Sequence, residues 1–214
     1  MDIRKQHGDL VWFWHGSRRW EGSPELRGPR AQRAEWGCGL YLTTRYMTAL
    51  KYAKGGGATM LFGLDPAARK LEGLRISIDE MRTAVRGIAR LQKRDLILED
   101  IERNVARNGK GEVGLNVLVN LAVNHDAMVG APAVAISEFV ASQGADISVG
   151  LRTAGEQWVV VFNPKVIRKF ERVSASRVQL NDYELPYLEQ QLQAMQALRE
   201  EVDDEPAQGQ GMGC

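Results

Sequence analysis

The most constraining stretch of this chain runs from Val11 to Ala53, where two short apolar runs each stop abruptly at polar residues. The first, Val11-Trp12-Phe13-Trp14, reads as an apolar strand whose abrupt end marks a site rather than a turn. It ends in His15-Gly16-Ser17. The second is entered through Gly37-Cys38-Gly39, predicts a strand around Leu40-Tyr41-Leu42, and passes through Thr43-Thr44 into a helix. One strand delivering a histidine and another delivering a tyrosine predict a cleft between two strand ends.

The rest of the chain fits around that pair. Residues 18–36, rich in Arg, Gly and Pro, read as a long loop, and loops of that length in a compact domain are usually functional. Thr44 is the expected cap of a helix over about residues 45–54, with Tyr46, Met47, Ala49, Leu50 and Ala53 inward and Gly55-Gly56-Gly57 as its stop. A strand is expected over 59–64, ended by Asp65-Pro66. From residue 77 to 142 the apolar spacing becomes helical: Ile78, Met81, Val85 and Ile88 share a face. Arg82, Arg86, Arg90 and Arg94 recur at every fourth position and predict a basic edge. Further helices are expected over 96–107, 115–124 and 132–142, with Asn108-Gly109 as a turn. Strands return at 147–151, at the apolar run 157–162, which suits a central strand, and at 166–173. A helix is expected over 184–202, and the tail 203–214 is too polar to fold.

The 214 residues, 44% hydrophobic and 26% charged with a net charge of +1, describe a globular chain read as a single domain over 1–202, with 77–142 as a helical insertion. Cys38 and Cys214 are too distant to suggest a disulfide framework, and no apolar run approaches the ~18 residues of a membrane span. A cytoplasmic protein without membrane attachment is the expectation. His7, His125 and Cys38 lack metal-ligand spacing, so no metal is expected. The triple glycine is not followed by Lys-Ser or Lys-Thr, and a helix stop accounts for it better than a phosphate loop.

Three polar residues at strand edges are candidates for chemistry: His15, Tyr41 and Glu156, the last expected at a sheet edge because so apolar a strand follows it. Singly, each has a plainer explanation as a structural histidine, a core tyrosine or a solvated glutamate. Together, His15-Gly16-Ser17, then Gly37-x-Gly39-Leu40-Tyr41 leading into a helix that ends Tyr52-Ala53, then Glu156 opening the run Gln157 to Phe162, resemble the His-Tyr-Glu branch of the ADP-ribosyltransferase fold, shared by diphtheria-toxin-like and poly(ADP-ribose)-polymerase-like catalytic domains. The motifs stand in the family's order over residues 10–170. The resemblance implies an α+β fold in which two packed antiparallel sheets form a split sandwich around an NAD cleft, the helical insertion lying between the tyrosine helix and the glutamate strand.

Carried onto this sequence, the resemblance implies that His15 bonds a ribose hydroxyl of NAD and that the Gly16 backbone holds the nicotinamide amide, with Ser17 beside it. Tyr41 and Tyr52 would sandwich the nicotinamide ring, and Glu156 would stabilise the oxocarbenium-like ribose as nicotinamide leaves. His15, Tyr41 and Glu156 are thus the implied catalytic set, and NAD is a co-substrate used without a metal. The chain departs from the polymerases at Ala49, where they carry a serine, for which Ser17 or Thr48 are the nearest hydroxyls. It departs from arginine-specific toxins at Ala154, where they carry a second Glu or Gln, and it has no Ser-Thr-Ser motif. The implied activity is transfer of ADP-ribose to a macromolecule, protein before nucleic acid, in a bacterial or phage toxin or host-modifying factor. An inactive NAD- or partner-binding module and an NAD glycohydrolase are the alternatives. Arg18, Arg19, Arg27, Arg30 and Arg33 are candidates for meeting phosphates or for a solvated loop.

Overall fold

The computed structural model describes residues 8–26, 35–108, 111–153 and 155–203. In chain order these form β1 (Val11–Ser17), β2 (Leu40–Thr43), α1 (Tyr46–Ala53), β3 (Ala58–Leu64), β4 (Arg75–Ser77), α2 (Ile78–Gly87), α3 (Arg94–Asn108), β5 (Glu112–Gly114), α4 (Asn116–Asn124), α5 (Gly130–Ser142), β6 (Ile147–Thr153), β7 (Glu156–Val161), β8 (Ile167–Arg172) and α6 (Leu188–Asp203). The protein is mixed α and β, with a six-stranded antiparallel sheet in the order β6-β7-β2-β1-β3-β8 and a separate pair, β4-β5.

Burial follows from the side-chain patterns. The unbroken apolar runs of β3 and β7 are buried along their whole length, as strands covered on both faces must be. Edge strand β8 carries Arg168, Lys169, Glu171 and Arg172, charges that discourage pairing with another chain. Alternation along β1 sends Val11 and Phe13 to one face and Trp12 and Trp14 to the other. The first face is covered by α6 through Leu188, Leu192 and Met195. The second is covered by α1 over β1 and β3, and by the helices α2 to α5 where Val160 and Phe162 enter their core.

The sheet is not uniform. β1 pairs with β3 from Val11 to Ser17 and β2 pairs with β7 from Leu40 to Thr43, but β1 and β2 meet at one pair only, Trp14 opposite Thr43. The sheet therefore consists of two three-stranded halves, β6-β7-β2 and β1-β3-β8, joined at a pinch. α6 ties both halves from behind. Gln157 of β7 accepts the backbone N–H of Leu188 at 2.7 Å, and Gln191 of α6 accepts the N–H of Trp12 at 2.7 Å and donates to its carbonyl at 3.0 Å.

Several expectations are corrected. Thr44 does not cap α1: its hydroxyl accepts the N–H of Gln157, and Arg45 occupies the cap position without a side-chain capping bond. Met47 and Leu50 are exposed rather than inward. The arginine series is not one edge, because α2 ends at Gly87, Arg90 lies beyond it with φ of 56°, and Arg94 opens α3. Arg82 is bonded to Glu102 and Asp79. The expected helix over 184–202 begins only at Leu188, because Glu184 and Leu185 pair in extended form with Arg45 and Thr44. Glu156 does not lie at a sheet edge, since β7 is interior, but at a strand end. The short pair β4-β5 was not foreseen. Arg27, Arg30, Arg33, Ala154, Gly109 and the tail 204–214 lie outside the described residues.

Candidate functional site

Where β1 and β2 part, they open a cleft of about 420 Å³ lined by His15, Gly16, Glu35, Gly39, Leu40, Tyr41, Thr43, Ala49, Tyr52 and Trp158. Its geometry begins with the ladder. Trp14 faces Thr43, so continuing the antiparallel register would set Gly16 opposite Tyr41 as the next hydrogen-bonded pair. That pair is not formed. The carbonyl of Tyr41 instead accepts from the His15 ring, Nδ1 to O at 2.8 Å.

This bond fixes the tautomer of His15. A carbonyl only accepts, so Nδ1 carries the proton, and burial pushes the imidazole below its ordinary range, keeping it neutral near pH 7. Nε2 is then a hydrogen-bond acceptor. The ring is held by edge-on contacts to Trp20 at 5.4 Å and Phe62 at 5.8 Å between centroids.

Gly16 faces the gap because α1 lies against it. A β-carbon at Gly16 would fall 1.7 Å from the Ala49 carbonyl oxygen, so only glycine lets the helix pack here. Ala49, the position where the resemblance implies a serine, lines the cleft. The Ser17 hydroxyl turns elsewhere, donating to the carbonyl of Arg19 at 2.7 Å.

On β2 and β7, strand alternation places Tyr41 and Thr43 on the same face as Glu156, Trp158 and Val160. Trp158 makes edge-on contacts with both tyrosines, at 6.1 Å to Tyr41 and 5.8 Å to Tyr52. The Tyr41 hydroxyl donates to the Gly37 carbonyl at 2.9 Å and accepts the Trp36 N–H at 3.1 Å, which pins the turn before β2. That turn also carries Glu35 into the cleft. Cys38 is buried, and burial raises its thiol above the ordinary range, away from nucleophilic use.

Glu156 is only 7% exposed, far from the solvated glutamate its position before a strand would suggest. It follows a tight turn at Gly155, whose φ of 84° favours glycine, and Thr153 faces it across the hairpin. Its Oε1 accepts from the Thr43 hydroxyl at 2.8 Å. The neighbouring backbone is fixed in turn, since Gln157 N donates to Thr44 Oγ1 and Thr44 N to Gln157 O, both at 3.0 Å.

His15, Gly16, Tyr41 and Tyr52 thus share one cleft, and Glu156 is bound to its wall through Thr43. Sequence reasoning missed Trp158, Thr43 and Glu35. Strand alternation could have found the first two, each two residues beyond a residue already singled out. Among the described residues no group of three or more His, Cys, Asp or Glu is placed to hold a metal ion, and no helix is long and apolar enough to cross a membrane. Comparison with protein-family models, curated proteins and solved structures found no match for this chain.

Proposed function

We propose that this chain is an ADP-ribosyltransferase that binds NAD in the cleft between β1 and β2. The observation that carries the reading is convergence: His15, Tyr41, Tyr52 and Glu156, drawn from three distant segments, gather around one opening in the sheet. The six strands form one antiparallel sheet rather than two packed ones, and its parting between β1 and β2 is what supports a cleft for the dinucleotide. An aromatic group of Tyr41, Tyr52 and Trp158 suits a flat heterocycle, and the Gly16 backbone, paired to β3 but outside the single β1–β2 pair, suits a carboxamide.

In this reading the Nε2 of neutral His15 accepts from a ribose hydroxyl and orients the dinucleotide. The bond between the nicotinamide nitrogen and the ribose C1′ breaks, its electron pair neutralises the pyridinium, and the cationic ribose that remains is stabilised by the Glu156 carboxylate. A nucleophile of a macromolecular acceptor, protein before nucleic acid, then attacks C1′ and releases its proton to solvent.

The test is incubation of the purified protein with NAD labelled in its adenosine half, with and without cell lysate. Label on a macromolecule supports the reading. Free ADP-ribose alone points to a glycohydrolase, and NAD that binds but is not consumed points to a binding module.

A further inference from the structure

We propose that Thr43 is the positioning residue for Glu156, fixing the carboxylate in the orientation that the reaction requires. The inference deepens the ADP-ribosyltransferase reading and rests on it for what the held carboxylate does, while the hold itself is a structural claim.

Thr43 is 2% exposed and sits opposite Trp158 on β7, a setting in which an unbonded hydroxyl costs free energy that a valine would not. Both capacities of that hydroxyl are used, and they define a direction. Its oxygen accepts the backbone N–H of Arg45 at 3.1 Å, and its single proton goes to Glu156 Oε1 at 2.8 Å. The Arg45 amide sets the hydroxyl's orientation, and the hydroxyl sets that of the carboxylate. Threonine is suited to this because branching at Cβ leaves few rotamers. A hydroxyl donating to a carboxylate in a buried place makes one of the stronger protein hydrogen bonds. With Oε1 so engaged, Oε2 is left to accept from the ribose hydroxyl.

The backbone on either side is equally constrained. Thr44 is bonded to Gln157 through both its N–H and its hydroxyl, so Thr43 and Glu156 belong to two strand ends that cannot shift independently. A glutamate has three rotatable bonds, and a carboxylate that wanders stabilises a developing cation less than one already in place.

The experiment compares Thr43→Val and Thr43→Ser with the parent and repeats Thr43→Val in a Glu156→Gln background. Positioning predicts that Thr43→Val lowers kcat about 10- to 100-fold while the NAD Kd measured by calorimetry stays within about three-fold, and that Thr43→Ser restores most of the rate. In the Glu156→Gln background the same change should cost little further, because the group it positions is gone. A kcat unaffected by Thr43→Val, or an equal loss in both backgrounds, overturns the proposal. A parent protein that turns over no NAD overturns the reading above instead, and the positioning claim is then decided by a crystal structure of Thr43→Val. A displaced Glu156 carboxylate supports it, and one that keeps its place overturns it.

Discussion

Gly16 and Ala49 stand so close that a single methyl group on Gly16 would lie 1.7 Å from the carbonyl oxygen of Ala49. The contact is backbone on backbone, so no rotamer change relieves it. Gly16→Ala must push α1 away from β1, which also moves Tyr52 on the far turn of that helix. Overpacking of this kind costs about 1–3 kcal/mol. The expected result is a lower unfolding midpoint together with a loss of NAD affinity larger than the stability change alone would give, read by thermal unfolding and calorimetry. An Ala variant with parental affinity would show that the Gly16 region does not contact the dinucleotide.

Glu156→Gln keeps the size of the side chain and one acceptor oxygen but removes the charge. If the proposed function holds, stabilisation of the cationic ribose is then lost while ground-state binding survives, so turnover should fall on the order of 100- to 1000-fold with NAD affinity changed only a few-fold. A folded variant that consumes NAD at near the parental rate would make the carboxylate structural.

His15 gives a pH dependence of defined sign. Its folded pKa lies below the ordinary histidine value because burial penalises the charged ring. Between the two values the unfolded state holds more protons, so stability rises with pH there. The contribution is complete above an unfolded pKa of about 6.5 and is lost as pH falls through the folded value. Protonation also turns Nε2 from acceptor to donor, so NAD affinity should fall over the same acidic window. Calorimetry from neutral to acidic pH checks this, with His15→Asn expected to bind weakly and to lack the dependence.

Tyr41→Phe separates the ring from its hydroxyl. The ring that faces Trp158 remains, but the bonds to the Gly37 carbonyl and the Trp36 N–H are lost, and with them the hold on the turn that carries Glu35. The Michaelis constant for NAD should rise a few-fold, and Tyr41→Ala should raise it further with a smaller effect on turnover at saturation. If Phe and Ala behave alike, the hydroxyl and not the ring is what the cleft needs.

Much of the sheet was legible because β1, β3 and β7 are continuous apolar runs, and such runs have few other places to go. His15 and Glu156 stood out because one ends the apolar run of β1 and the other opens that of β7, whereas Tyr41 lies inside β2 and Tyr52 in α1. What failed was decided by distant partners. Thr44 has the chemistry of a helix cap but is taken by Gln157, more than a hundred residues later. Arg82 to Arg94 have helical spacing, yet the helix stops at Gly87, and Arg82 finds its carboxylates on α2 and α3. The pair β4-β5 joins two three-residue strands far apart in sequence, too short for either to show alternation.

The attachment of α6 has one more consequence. Through Gln157 it grips the half of the sheet that carries Glu156, and through Gln191 the half that carries His15. Two arms joined at a pivot and strapped across the back behave as a caliper whose jaw setting is decided at the strap. The spacing between histidine and glutamate is therefore written partly in the attachment of the C-terminal helix, through one glutamine on β7 and one on α6, neither of which lines the cleft.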